Sequence, residues 1–206
     1  MYQHGICFIT DRTYSDKPVY DMVQLVLDAG ITFIQYREKQ RTRREIHEEA
    51  IKLRDLTRAY NAVLIINDHA DIALAVEADG VHLGQDDLPL QEARKIMARK
   101  IVGVSTHSIE QARSAEAGGA DYIGFGPIFH TSTKDAGAPR GVDILKQIKQ
   151  NCSIPVVAIG GISIDTAADV MNAGADAVAV ASAICRGDMI QNAKLLCETI
   201  RKYTGG

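Results

Sequence analysis

The chain has 206 residues, 46% of them hydrophobic, and carries a formal net charge of -3. This length and apolar content suffice for one domain with a large buried core, whereas the slight acidity argues against binding through nucleic-acid phosphates. The N-terminus lacks the basic and apolar regions of a signal peptide, and no apolar run approaches the ~18 residues that span a bilayer. The four cysteines show neither metal-ligand spacing nor a disulfide framework. We therefore expect a cytoplasmic protein without nucleic-acid or membrane partners.

Eight short apolar runs recur along the chain, and most of them are continuous rather than alternating in polarity. Continuous runs of this length are typical of parallel strands that are buried on both faces. The runs cover residues 6–9, 33–36, 63–66, 81–83, 101–104, 122–125, 156–159 and 177–180. They predict eight strands of a parallel sheet.

The segments between these runs have apolar residues at helical spacing. Residues 20–29 and 45–60 each place four apolar side chains on one stripe. Strands that alternate with helices form βαβ units, and eight such units predict a single-domain (β/α)8 barrel over residues 1–206. A doubly wound open sheet is the alternative.

A glycine-containing motif precedes every second predicted strand. A glycine at the end of a helix adopts a left-handed conformation that other residues resist, so we interpret the motif as structural. Its four copies are Ala29-Gly30, Ala78-Asp79-Gly80, Gly118-Gly119-Ala120-Asp121 and Ala173-Gly174-Ala175-Asp176.

Polar residues follow strands two to eight, where the active sites of barrel enzymes lie. We call this end of the barrel, where the C-terminal ends of the strands meet, the mouth. Arg37, Lys39 and Lys134 offer cations for phosphate oxygens. Asp68 and Asp87 offer the carboxylates that hold Mg²⁺ together with substrate phosphates. The set predicts a site for a metal-bridged diphosphate, and the alternative is a solvated ring of salt-bridged loop residues.

Gly160-Gly161 follows strand seven and precedes a helix cap at Ser163 or Asp165. Backbone N–H groups here and at the end of strand eight form the phosphate site that is common in this fold. A tight turn without ligand is the alternative interpretation.

No covalent nucleophile is evident. His82 lies inside a strand and is expected to be a hydrogen-bonded core histidine, whereas His107 and His130 lie in mouth loops without a serine or cysteine arranged beside them.

Six segments in this order resemble the thiamine-phosphate synthase family, and the resemblance covers nearly the whole chain. They are Gln35-Tyr36-Arg37-Glu38-Lys39, Asn67-Asp68, Gly84-Gln85-Asp86-Asp87, Gly103-Val104-Ser105, Thr131-Ser132-Thr133-Lys134 and Ile159-Gly160-Gly161-Ile162. That family joins hydroxymethylpyrimidine diphosphate to a thiazole phosphate and releases diphosphate.

The resemblance implies a role for each matching residue. Asp68 and Asp87 would bind Mg²⁺, and the groups acting in catalysis would be Arg37, Lys39, Ser105 and Lys134. The pyrimidine diphosphate would contact Gln35, Tyr36, Arg37, Glu38, Lys39, Asn67, Ser105 and Lys134. The thiazole phosphate would contact Thr131, Ser132, Thr133, Gly161, Ala181 and Ser182. Ala181 stands where the family often has a larger aliphatic residue, which loosens the pocket without removing a backbone contact.

Two alternatives share the fold. A thiazole tautomerase typically has a histidine where this chain has Pro127, and it lacks the Asn67-Asp68 pair. A non-catalytic regulator that binds a thiamine precursor would have eroded cation and metal positions, which are intact here. The sequence leaves a homo-oligomer open.

Overall fold

Eight parallel strands form a closed barrel. The computed structural model describes residues 5–131 and 137–203. Each strand pairs with the next, and the last pairs with the first through Cys7 and Ala179. This closure confirms the (β/α)8 barrel and excludes the open sheet. The strands are β1 (Ile6–Ile9), β2 (Phe33–Tyr36), β3 (Val63–Asn67), β4 (Gly80–Leu83), β5 (Ile101–Thr106), β6 (Tyr122–Phe125), β7 (Val156–Ile159) and β8 (Ala177–Val180).

Helices surround the strands and carry the apolar stripes seen in the sequence. A short 3-10 turn, Arg12–Tyr14, follows β1. The α-helices are α1 (Val19–Asp28), α2 (Arg43–Ala59), α3 (Ala70–Ala75), α4 (Leu90–Met97), α5 (Ile109–Ala117), α6 (Gly141–Asn151), α7 (Ile164–Asn172), α8 (Ser182–Cys185) and α9 (Met189–Arg201). Ser163 caps α7 through a capping box with Thr166, so Ser163 is the predicted cap and Asp165 lies in the first turn. No helix among the described residues is long and apolar enough to cross a membrane.

Two strands run further than their apolar runs. Asn67 pairs with His82 at the end of β3, and Ser105 pairs with Gly124 near the end of β5. The backbone ladder continues past the last apolar residue because the neighbouring strand still offers partners. These two residues therefore lie within strands rather than after them.

The barrel interior is filled by its own side chains. The interior cluster consists of Cys7, Ile9, Phe33, Ile65, Tyr122, Val157, Ala177 and Ala179. The rings of Phe33 and Tyr122 meet edge to face with centroids 5.9 Å apart. A Cβ at Gly103 would lie 2.1 Å from Cζ of Tyr122, so this ring needs a glycine opposite it. Because the interior is packed, ligands are confined to the strand ends.

The glycine motif behaves as expected in three of its four copies. Gly30, Gly119 and Gly174 have φ values of 96°, 85° and 98°. Before β4 the left-handed residue is Glu77, with φ 54°, whereas Gly80 is the first residue of the strand. A Cβ at Gly80 would lie 2.2 Å from the carbonyl oxygen of Ile101. This glycine is thus required by close packing of β4 against β5, which corrects the sequence-based interpretation.

The aspartates of the same motif tie the strands together at the end opposite the mouth. Each carboxylate accepts the backbone N–H of the first or second residue of the preceding odd-numbered strand and pairs with a basic residue of an earlier helix. Asp79 binds Leu64 N and Arg54, Asp121 binds Val102 N and Arg94, and Asp176 binds Val156 N and Lys149; the three backbone contacts measure 2.7 Å. The recurrence of this contact agrees with a structural role for the motif.

Candidate active site

Two predicted metal ligands and a predicted phosphate ligand come together at the mouth. Asp68 follows β3 in a left-handed conformation with φ 65°, and its N–H donates to the His82 carbonyl at 2.8 Å. Its carboxylate accepts a hydrogen bond from Lys39 Nζ. Asp87 accepts the N–H of Gly84 at 2.7 Å, and the two carboxyl groups contact each other. Lys39 is 29 residues from Asp68 and 48 residues from Asp87 in the sequence, so these three side chains meet only because the barrel closes.

The two carboxyl groups titrate as a pair. Burial raises the pKa of Asp87, and the charge of Asp68 raises it further. Burial acts on Asp68 in the same direction, but the contacts with the Lys39 ammonium and with Asp87 together outweigh it and lower the pKa of Asp68. Two close oxygen ligands are what Mg²⁺ takes from a protein when substrate phosphates and water supply the rest. Within the described residues no group of three or more metal-binding side chains converges. The pair fits a magnesium ion.

The side chains of β2 and of the residues that follow it alternate in direction. Phe33 lies in the interior cluster, whereas Tyr36 packs in the outer core between strands and helices. Side chains alternate across a strand, so Gln35 lies on the interior face with Phe33. Beyond the strand, Arg37 contacts Asp11 at 3.2 Å while Lys39 reaches Asp68.

The even-numbered residues of this segment point elsewhere. The Tyr36 hydroxyl donates to Glu49 of α2 at 2.7 Å, and Tyr36 is only 1% exposed. Glu38 binds Arg12 at 2.7 Å and accepts the N–H of Gln40 at 2.8 Å. The Tyr36 side chain is buried away from the mouth, so a substrate contact at Tyr36 would have to come from its backbone. Glu38 is held by Arg12, although it also lies among the residues beside Asp68 and Asp87 that line an open cavity.

A hydrogen-bonded chain connects the barrel interior with the mouth. The Tyr122 hydroxyl lies 2.9 Å from Nδ1 of His82, and Nε2 of His82 lies 2.9 Å from Oγ of Ser105. Gln85 donates to the Ser105 carbonyl at 2.6 Å. His82 is therefore a hydrogen-bonded core histidine, as expected, and it fixes the hydroxyl of a predicted substrate ligand.

The second predicted phosphate site lies at the ends of β7 and β8. Gly161 has φ 66°, and a Cβ there would lie 2.4 Å from the His130 carbonyl oxygen. Ser182 begins α8, and Ala181 packs against the interior cluster. Thr131 is partly buried at the edge of the described region. The other predicted ligands of this loop lie outside the described residues; they are Ser132, Thr133 and Lys134.

An open cavity of about 600 Å³ adjoins the paired carboxylates. Its lining carries both signs of charge: the cations are Lys39, Arg41 and Arg43, and the carboxylates are Glu38, Asp68, Asp71 and Asp87. Cations for phosphate oxygens and carboxylates for a metal ion are therefore both available there.

The sequence analysis missed the end of β1. Thr10 and Asp11 are buried polar residues at 0% and 6% exposure, and Arg12 follows them. The rule that found the other mouth residues, polar groups after an apolar run, also applies to these three.

A closed (β/α)8 barrel with cations and paired carboxylates at its mouth defines a barrel enzyme. Within that class, the chain belongs to the thiamine monophosphate synthase family, whose model matches residues 6–184.

Relatives with the same family name are similar to this chain over most of their length. A thiamine-phosphate synthase from Chloroflexus aurantiacus is 53% identical over 168 residues, covering 81% of this chain and 78% of the relative. One from Halalkalibacterium halodurans is 46% identical over 197 residues, covering 95% and 93%. The solved thiamine phosphate pyrophosphorylase from Pyrococcus furiosus has a TM-score of 0.92 at 38% identity, covering 99% of this chain and 98% of that chain.

Proposed function

We propose that the chain is a thiamine-phosphate synthase, which joins hydroxymethylpyrimidine diphosphate to a thiazole phosphate and releases diphosphate. The observation that carries the proposal is the contact of Lys39, Asp68 and Asp87 at the mouth of a barrel whose relatives bear that name. A cation that binds phosphate oxygens, beside carboxylates that can hold a metal ion, suits a diphosphate leaving group better than a monophosphate.

The proposed reaction breaks one bond and forms another. The C–O bond between the pyrimidine methylene carbon and the diphosphate breaks, and its electron pair leaves with the diphosphate oxygen. The lone pair of the thiazole nitrogen then forms the C–N bond to the methylene carbon. No nucleophile has to lose a proton, so the reaction needs no general base.

The residues at β2, β3 and β4 would bind the diphosphate. Arg37 and Lys39 would donate hydrogen bonds to its oxygens, with Lys134 from the β6 loop. Asp68 and Asp87 would hold Mg²⁺, which when bound neutralises charge on the departing diphosphate. These fixed charges favour the state in which the diphosphate carries the extra electron pair.

The pyrimidine and the thiazole phosphate would occupy neighbouring parts of the mouth. Ser105, whose hydroxyl is oriented by His82, would contact the pyrimidine together with Gln35 and Asn67. The thiazole phosphate would lie against backbone N–H groups of the β7 and β8 ends. Its proposed ligands are Thr131, Ser132, Thr133, Gly161, Ala181 and Ser182.

A covalent cysteine intermediate is not part of the proposal. All four cysteines are free thiols; burial raises the pKa of Cys7 and raises that of Cys185 to about 12. Thiols are poor nucleophiles in that state. Free thiols also suit the reducing cytoplasm, where we propose that the protein resides. Neither the tautomerase nor the regulator finds support in the named relatives.

The test is product formation from the two purified substrates, with and without added Mg²⁺. We expect thiamine phosphate and diphosphate in equal amounts, and a rate that falls when the metal is chelated. A protein that isomerises the thiazole phosphate but never consumes the pyrimidine diphosphate would contradict the proposal.

A further inference from the structure

We propose that Arg12 is a positioning residue that holds the diphosphate-binding segment 37–39 in place through Glu38, which is buried, and Glu49, which is partly buried. This inference rests on the proposed function, because it assigns a task to residues beside the proposed diphosphate ligands. We call the group formed by Arg12, Tyr36, Glu38 and Glu49 the arginine clamp.

Arg12 joins three separate parts of the chain. Its Nε donates to Glu38 at 2.7 Å, and its terminal Nη2 lies 2.6 and 2.7 Å from the two carboxylate oxygens of Glu49. The 3-10 turn after β1, the segment after β2 and helix α2 are thus linked by one guanidinium. A planar fork with several donors can make these contacts together, which an ammonium cannot.

The carboxylates of the clamp are largely shielded from water, while the Arg12 side chain is 28% exposed. The side chain of Glu38 is 4% exposed, and that of Glu49 is 15% exposed. The Tyr36 hydroxyl donates to Glu49 as well, at 2.7 Å. Two nearly buried carboxylates persist side by side only when a cation compensates them.

The pKa shifts agree with this arrangement. Burial would raise the pKa of Glu38, but the Gln40 N–H and Arg12 outweigh it and hold that pKa below its usual value. Burial would lower the pKa of Arg12, and the two glutamates raise it instead.

The residues before Arg12 hold the same segment from its other side. Thr10 Oγ1 accepts the Arg37 N–H at 2.9 Å and donates to the Arg37 carbonyl at 3.1 Å. Asp11 contacts the Arg37 guanidinium at 3.2 Å. The backbone of segment 37–39 is therefore fixed on both sides, while Lys39 remains directed at Asp68.

No other cation replaces Arg12 at close range among the described ion pairs. Arg41 lies 3.9 Å from Glu38 and 3.7 Å from Glu49, so it supports Arg12 only weakly. Without Arg12, the two carboxylates would lose their close cation, and segment 37–39 would lose its link to α2.

The experiment compares Arg12→Gln, Arg12→Lys and Tyr36→Phe with wild type. The matched control is Arg58→Gln, because Arg58 lies in the same helix as Glu49 and forms an exposed ion pair with Glu77. The readouts are the Kd of inorganic diphosphate in the presence of Mg²⁺, the KM of each substrate, kcat and the melting temperature.

We expect Arg12→Gln to lose roughly 10- to 100-fold in kcat/KM for the pyrimidine diphosphate, because small displacements of a binding group cost that much. The Kd of inorganic diphosphate should rise in parallel, whereas the KM of the thiazole phosphate should stay within about twofold. Arg12→Lys should fall between wild type and Arg12→Gln, and Arg58→Gln should match wild type.

A folded Arg12→Gln variant with wild-type diphosphate affinity would overturn the inference, as would equal losses for both substrates. Should Arg12→Gln fail to fold, unchanged diphosphate affinity in both Arg12→Lys and Tyr36→Phe would overturn it equally. A different result would separate the two proposals. If wild type binds diphosphate more tightly than Arg12→Gln but makes no thiamine phosphate, the proposed function is refuted and the clamp remains supported.

Discussion

The contact between Asp176 and the start of β7 should stabilise the barrel mainly through its backbone hydrogen bond. Asp176→Ala removes the carboxylate that accepts the Val156 N–H. Val156 is fully buried, so water cannot replace that acceptor. A buried donor left without a partner costs about 1–3 kcal/mol. The ion pair with Lys149 is partly exposed, at 24% and 38% for the two side chains, and such pairs contribute at most about 1 kcal/mol.

These values translate into a measurable shift in melting temperature. For a domain of this size, 1 kcal/mol corresponds to roughly 2–4 °C, so loss of the hydrogen bond alone should lower the melting temperature of Asp176→Ala by roughly 2–12 °C. The activity of the folded variant should be unchanged at room temperature. Asp176 precedes β8 and therefore lies at the end of the barrel opposite the mouth.

Two control variants separate the hydrogen bond from the ion pair. Asp176→Asn keeps an oxygen that can accept the Val156 N–H, and Lys149→Met removes the ion pair alone. Both should melt within a few degrees of wild type, by thermal unfolding followed with circular dichroism. If Lys149→Met is as destabilised as Asp176→Ala, the ion pair rather than the backbone bond stabilises this end of the barrel, and the reasoning is wrong.

Three further predictions concern the mouth and the arginine clamp beside it. Asp68→Asn should lower the rate of thiamine phosphate formation on the order of 100-fold without loss of stability, because asparagine tolerates the left-handed backbone at φ 65°; a near wild-type rate at limiting Mg²⁺ would argue against a metal ligand. Because the pKa of Glu38 is depressed, its charge stabilises the fold above its ordinary value of 4.5 and ceases to do so as pH falls through the lower folded value. The melting-temperature gap between wild type and Glu38→Gln should therefore close on acidification, and a gap that is constant down to about pH 3 would contradict this assignment. Gly161→Ala should unfold at lower temperature whether or not phosphate binds there, because the added Cβ would lie 2.4 Å from the His130 carbonyl oxygen; a melting point equal to wild type would mean that the loop can move away.

The positions of the strands were readable from the sequence because each is a continuous apolar run between amphipathic helices. Their ends were less certain, since the backbone ladder of β3 and β5 continues through polar residues such as Asn67 and Ser105. Hydrophobicity reports burial of side chains, whereas the ladder depends on the neighbouring strand, which a single run does not reveal.

The proposed metal ligands were identifiable for a simple geometric reason. Asp68 and Asp87 follow neighbouring strands, and the ends of neighbouring parallel strands are close in space. The sequence does not reveal that Tyr36 and Glu38 bind Glu49 and Arg12 while Arg37 and Lys39 bind Asp11 and Asp68, because the resemblance treats the five-residue motif as one binding unit. Alternation along an extended segment predicts this division.

Other contacts require the tertiary structure. Arg12 and Glu49 are 37 residues apart and belong to a turn and a helix whose relative position no local pattern encodes. Likewise, nothing local indicates that Glu77 rather than Gly80 adopts the left-handed conformation before β4.

The packed interior has a kinetic consequence. Because the Phe33 and Tyr122 rings close the barrel below the mouth, every molecule that reaches the site must enter and leave through one opening. Two ligands that share a single opening obstruct one another, so the ligand bound deeper has to arrive first and depart last. The order of addition and release, read from product-inhibition patterns, would therefore report which ligand lies nearer to the Tyr122 ring.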